Sequence, residues 1–206
     1  MQKFQIKNLN VHSIEPKFLK FYRQNSDSVY CRESHDFKLN RYFGIIATNG
    51  EKELFIPIIP GKKKHIDWKK KHFDGNFLIT EPINKEDIKH YQFYQKTENP
   101  DIVLLIYSNI AVQKMLPILK DNYELVEDFK NTEEKVMLEQ TLKFIKENKD
   151  KIEKNINHIY KEMINCPPEK FTRYKDRTDI GFLEKIMTKY DKDKELSALF
   201  FEDFVL

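Results

Sequence analysis

The sequence predicts an α+β fold: a compact, curved antiparallel sheet with helices laid around its periphery, one of them long. Three observations carry this. Short apolar runs of strand character, separated by turn residues, occupy the chain to about residue 119. From about Thr132 the apolar spacing changes to a helical period. The composition, 40% hydrophobic and 33% charged with only 5 Gly in 206 residues, fits one domain with a packed core and excludes a disordered chain.

The elements follow in order. Phe4 and Ile6 alternate with polar residues, as in a short strand. Pro16 suits the first turn of a helix whose apolar face is Phe18, Leu19 and Tyr22. Residues 23–40 are polar and turn-rich and read as a long loop, a frequent home of functional groups. The clearest local signal is a hairpin: Tyr42 to Thr48, then Asn49-Gly50, then Leu54 to Ile59. Gly44 implies a bend or a close backbone approach, and Pro57 an edge strand or a bulge. Residues 76–80, 102–107 and 115–119 read as further strands, the last with Pro117 at its edge. Asn131-Thr132, followed by two glutamates, marks a helix start. Leu138, Leu142, Ile145, Ile152, Ile156, Ile159 and Met163 then form one face of a helix. Unbroken, it runs roughly 45 Å at about 1.5 Å per residue before Cys166-Pro167-Pro168 ends it. A final helix is expected around 181–190. The apolar residues 199–206 need a surface to dock on.

Charge is nearly balanced, with 36 Lys and Arg against 33 Asp and Glu. The imbalance is local. Residues 60–72 read PGKKKHIDWKKKH, six lysines against the single acid Asp67, directly after an apolar strand. A concentrated positive field at a strand end suits phosphate, although a solvated loop has the same composition. Cys31 and Cys166 form neither a metal spacing nor a disulfide framework. No close His, Asp and Glu set has ligand spacing, so neither metal nor cofactor is expected. The absence of a signal peptide or long apolar stretch predicts a cytoplasmic protein without membrane attachment.

Three pieces in this order, RYFGIIATNGEKELFIPI, GKKKH and QTLKFIKENKDKI, resemble the ToxN/AbiQ family of type III toxin–antitoxin toxins. The family carries a G-I strand, a P-hydrophobic-x-x-x-K segment and a later Q-L-x-F-I-x-x-N-x-x-x-I helix. Here the last is met by Gln140, Leu142, Phe144, Ile145, Asn148 and Ile152, preceded by KMLPIL at 114–119. The resemblance spans roughly residues 40–190, with an insertion at about 66–101. It implies one domain over 1–206 with an apolar tail at 191–206, and a sheet curved into a MazF/Kid-like barrel.

The resemblance also implies an activity: metal-independent endoribonuclease cleavage to a 2′,3′-cyclic phosphate and a 5′-hydroxyl, often directed against phage. The partner it implies is a small structured RNA antitoxin from a repeat array, held in a higher-order protein–RNA assembly. Lys62 matches the family's site lysine and Arg41 its cation before the G-I strand. The upstream tyrosine has Tyr30 as a candidate, with His35 another. One departure stands out. Where many members carry a hydroxyl pair, this chain has Ile59 and Pro60. A divergent branch such as the TenpN or CptN toxins, or relocated acid–base groups, would account for it.

Self-cleavage of RNA needs a base for the 2′-OH, an acid for the leaving oxygen, and cations or N–H donors for the phosphorane. Lys62 and Arg41 suit the charge-stabilising role. His65, whose ordinary pKa is near neutrality, is the acid–base candidate by chemistry, and His35 the second. Lys63, Lys64, Lys69, Lys70 and Lys71 are candidate phosphate contacts. Trp68 and Tyr42, together with Tyr30, are candidate stacking surfaces, Trp68 being equally readable as an anchor for its loop. Lys143, Lys146, Lys149 and Lys154 recur along the helix, and Arg173 and Tyr174 sit in a mixed basic–aromatic loop. Two other functions fit the same residues. One is a non-catalytic RNA-binding protein, the other a protein–protein adaptor docking through the tail.

Overall fold

The computed structural model describes residues 2–26, 42–68, 75–90, 93–164, 166 and 177–202, with backbone alone at 89–90 and 192–202. The architecture is α+β: among the described residues, a nine-stranded antiparallel sheet with four α-helices. The strands are β1 (Gln5–Ile6), β2 (His12–Ile14), β3 (Phe43–Thr48), β4 (Glu53–Pro60), β5 (Asn76–Asn84), β6 (Tyr94–Lys96), β7 (Ile102–Ala111), β8 (Leu116–Ile118) and β9 (Tyr123–Leu125). The helices are α1 (Pro16–Asn25), α2 (Thr132–Glu147), α3 (Lys149–Ile164) and α4 (Ile180–Glu202).

The sheet order is β5-β7-β4-β3-β2-β9, with β1 joined to β3, β6 to β7 and β8 to β4. Among the described residues the sheet is open. Closure of a barrel requires the two end strands to pair, and β5 pairs only with β7 while β9 pairs only with β2. The closed barrel expected from the resemblance is therefore not seen.

The hairpin explains why β3 and β4 read as continuous apolar runs: both faces are covered. Phe43, Ile45, Ala47, Leu54, Ile56 and Ile58 enter one core with α2 and α3, while Ile46 and Phe55 enter a second with α1 and α4. Gly44 is a close approach rather than a bend. A Cβ there would lie 2.5 Å from the Phe55 ring and 2.6 Å from the Ile56 carbonyl.

The turn differs from the two-residue form. Thr48 pairs with Glu53, so Asn49 stands at the first turn position. Its side chain accepts from the N–H groups of Glu51 and Lys52, and Gly50 supplies the positive φ of 90°.

Pro57 does not lie at an edge. β4 is central, with β3 on one side and β8 and β7 sharing the other. The Tyr42 and Ile46 carbonyls accept from Ile14 and Lys7, on the far side of β3. Strand alternation therefore turns Phe43, Ile45 and Ala47 toward β4 and makes Gly44–Pro57 a non-hydrogen-bonded pair. Pro57 faces away from β3, as do Glu53, Phe55 and Ile59. Those three pair with Ile118, Leu116 and Asn109, and Pro57 falls in the gap between β8 and β7. A residue without an N–H occupies the outward-facing position that lacks a partner.

The long helix is broken. α2 and α3 have 16 residues each. Asn148 between them has φ −118° and ψ 19°. Its backbone N–H and its side-chain amide both donate to the Phe144 carbonyl at 3.0 Å, and its own carbonyl receives the Ile152 N–H to start α3. The expected start of α2 is present, with the Asn131 side chain accepting from Glu134 N–H at 2.8 Å.

Candidate nucleic-acid interface

β4 ends at Pro60, and the chain crosses close over β7. Gly61 N–H donates to the Tyr107 carbonyl at 2.9 Å. A Cβ on Gly61 would lie 2.6 Å from the Ile106 carbonyl, so glycine permits the crossing. Tyr107 is itself irregular. Across the β5–β7 ladder Ile79 pairs with Ser108 and Thr80 with Ile106, which leaves Tyr107 as the extra residue of a β-bulge. Bulges re-aim side chains at the rims of sheets. The Tyr107 hydroxyl donates to Glu81 at 2.7 Å. Beside it is a cavity of about 410 Å³, lined by Pro60, Gly61, Tyr107, Phe43 and the first residues of α2, including Glu133 and Glu134.

The basic segment then folds back as a 3-10 turn over Lys63–His65, with Lys62 extended before it. Lys63 and Lys64 are exposed and His65 is fully buried. The His65 Nδ1 accepts from Lys62 N–H at 3.1 Å. Its carbonyl accepts from the Gln95 amide at 2.8 Å, and the same amide donates to the Trp68 carbonyl at 2.7 Å. The Trp68 ring rests on the imidazole, centroids 4.5 Å apart. Loss of hydration, helped by Lys64 and Lys62, pushes the His65 pKa down to about 4. Its ring is neutral near pH 7, which the acceptor role of Nδ1 requires.

Lys62 and His65 are thus brought together, but through the backbone of one and the ring of the other. The expectation that His65 titrates near neutrality is corrected by its burial among cations. Trp68 is half-buried, with its carbonyl held by Gln95. Tyr42 packs against the core under α1 and α4. Lys146 and Lys149 are both exposed but lie on α2 and α3, on either side of the break, and Lys149 pairs with Glu153 at 3.7 Å. Tyr30, His35, Arg41, Lys69, Lys70, Lys71, Arg173 and Tyr174 lie outside the described residues. Ser108, opposite Pro60 on β7, does not replace the missing hydroxyl pair on the surface: it is buried and bonded to Thr141 at 2.6 Å.

Gln95, Tyr107 and Glu81 escaped sequence reasoning. Gln95 reads as an ordinary polar residue until the fold lays it under a turn thirty positions earlier. Tyr107 closes an apolar run, and the bulge that exposes its carbonyl depends on β5. Among the described residues no three His, Cys, Asp or Glu side chains gather as a metal set, and no helix is long and apolar enough to cross a membrane.

Three solved structures share the fold. A lactococcal anti-phage endoribonuclease of a type III toxin–antitoxin system, AbiQ, aligns with TM-score 0.60 at 16% identity, over 89% of this chain and 98% of its own. A component of a bacterial antiviral system regulated by a processed non-coding RNA aligns with TM-score 0.56 at 17% identity, over 85% and 95%. The third, from work on selective toxin inhibition by a non-coding RNA pseudoknot in bacterial type III systems, aligns with TM-score 0.55 at 16% identity, over 88% and 97%. No curated protein matches the chain. The decisive match runs over residues 10–188, from β2 through the basic turn and both broken-helix halves into α4, and by it the chain belongs to the family described as toxin ToxN, type III toxin–antitoxin system.

Proposed function

We propose that this protein is the toxin of a type III toxin–antitoxin system and cleaves RNA without a metal, by attack of the ribose 2′-OH on the adjacent phosphate. The products are a 2′,3′-cyclic phosphate and a 5′-hydroxyl. The observation that carries the reading is the placement of Lys62. In a chain of this family it follows the strand end at Pro60-Gly61, beside a β-bulge and a cavity, with its backbone clamped by His65. The internal nucleophile is already held next to the phosphorus, so the protein need supply only position, charge and proton transfer.

Lys62 holds the scissile phosphate, and Arg41, one residue before Tyr42, adds a second cation. His65 positions Lys62 and does not exchange protons near neutrality. The Tyr107 hydroxyl and Glu81 form a protonatable pair at the root of the turn, and proton transfer is assigned to them, with Tyr30 and His35 as the alternatives. A small structured RNA antitoxin, made from a repeat array, covers the basic turn and blocks substrate in a higher-order assembly. The setting is defence against phage.

A second reading is an RNA-binding protein without catalysis. Ile59 and Pro60, which lack the family hydroxyls, and the burial of His65 favour it. Incubation of the purified chain with RNA in EDTA separates the two. Cleavage that persists and leaves cyclic phosphate ends supports the first reading, and tight binding of intact RNA supports the second. Cleavage restored only by Mg²⁺ or Mn²⁺ defeats the mechanism.

A further inference from the structure

We propose that the cavity between the basic turn and the β5–β6–β7 arm is a separate RNA subsite, which receives an unpaired nucleobase against the indole of Trp68. The inference rests on the reading that the chain binds RNA. The cavity measures about 1140 Å³, above the roughly 300–1,000 Å³ of ordinary small-ligand sites. It shares no lining residue with the smaller cavity beside Tyr107.

Its construction fits a base. Ile102 and Leu104 of β7 form an apolar surface, and Trp68 and Tyr94 add aromatic rings. Trp68 is pre-positioned: Gln95 holds its carbonyl at 2.7 Å and His65 backs its ring at 4.5 Å. A ring already ordered loses little freedom when a base stacks on it.

The charges around it are sorted. Lys64, exposed, holds its ammonium 5.8 Å from the indole centroid, and Lys63 precedes it on the same turn. Asp67 and Glu98 line the cavity itself and, among the described residues, outnumber its one cation, Lys96. Carboxylates repel phosphate, so the backbone of a bound strand is directed to the lysine side and the neutral base to the cavity. Stacking accepts any base, so the subsite adds affinity for unpaired RNA and little preference for sequence.

Trp68 is the chain's single tryptophan, so fluorescence excited selectively at the indole, beyond the absorption of the 10 tyrosines, reports on this cavity. The probes are a short single-stranded 2′-O-methyl RNA, which cannot be cut by internal attack, and an abasic oligomer of the same length. Binding of each is measured separately by anisotropy. Saturable quenching by the base-bearing strand and none by the abasic one is expected. Trp68→Ala and, independently, Tyr94→Ala should each weaken the base-bearing strand by about tenfold and leave the abasic affinity unchanged. Binding of the base-bearing strand without quenching, equal quenching by both strands, or unaltered affinity in both variants overturns the subsite while RNA binding stands. If neither strand binds, the functional reading fails and the subsite with it.

Discussion

The imidazole of His65 accepts the backbone N–H of Lys62 at 3.1 Å. A buried neutral ring thus fixes the main chain of the cation assigned to the scissile phosphate, and protonation of Nδ1 would break that bond.

The first prediction concerns pH. The folded His65 has its pKa pushed down to about 4, from an ordinary value of 6.5. Between these values the unfolded chain takes up a proton that the folded chain refuses. Stability is therefore full above about pH 6.5 and falls as pH drops toward 4, by up to about 1.4 kcal/mol per pH unit from this group. Denaturant unfolding at pH 7.5, 6 and 5 checks it, and His65→Asn should reduce the slope. An undiminished slope would mean that another group carries it.

Lys62→Ala should leave the far-UV circular dichroism unchanged, because the N–H that His65 receives is retained. Cleavage should fall by about two to three decades, the equivalent of about 3–4 kcal/mol less transition-state stabilisation. Single-turnover rates on a labelled RNA measure this. A rate within twofold of the parent would remove Lys62 from the chemistry.

The exposed pair Lys63 and Lys64 should act on affinity rather than rate. Replacing both with Gln should flatten the log-log dependence of RNA binding on salt by about one unit for every phosphate that is no longer neutralised. An unchanged slope would place the strand elsewhere on the surface.

Two glycines should respond differently. Gly44→Ala puts a methyl 2.5 Å from the Phe55 ring and 2.6 Å from the Ile56 carbonyl, and should cost about 1–3 kcal/mol of stability through overpacking. Gly50→Ala meets one flexible side-chain atom, from Gln2, at 3.2 Å and mainly the strain of φ +90°. It should cost about 1 kcal/mol. Chemical denaturation of both variants tests the order.

Much of the sheet was legible because its signals are local. The apolar alternation, the Asn49-Gly50 turn and the proline at the start of α1 act within a few residues. What was illegible depends on distant partners. The stripe from Leu138 to Met163 stays in phase across Asn148, so apolar spacing alone runs through a break that a side-chain amide makes. Pro57 implied an edge or a bulge, and only the edge fails: a sequence does not show that the neighbouring segment leaves β4 after Ile110 and returns at Leu116. His65 read as a group titrating near neutrality because its burial is not visible in a run of lysines. Its burial needs Gln95 and Trp68 folded over it, and the clamp at Gly61 needs a bulge in β7.

The gap at Pro57 has a consequence for how the molecule meets other chains. An interruption inside a sheet is a fragment of open edge, and an open edge recruits foreign strands by offering alternating donors and acceptors. This one is a single position long, and its occupant has no hydrogen to give. The interruption lets β8 and β7 share one neighbour, and the turn Val112–Lys114 that joins them packs against β4, so a strand from outside meets neither a donor at Pro57 nor a free run of edge.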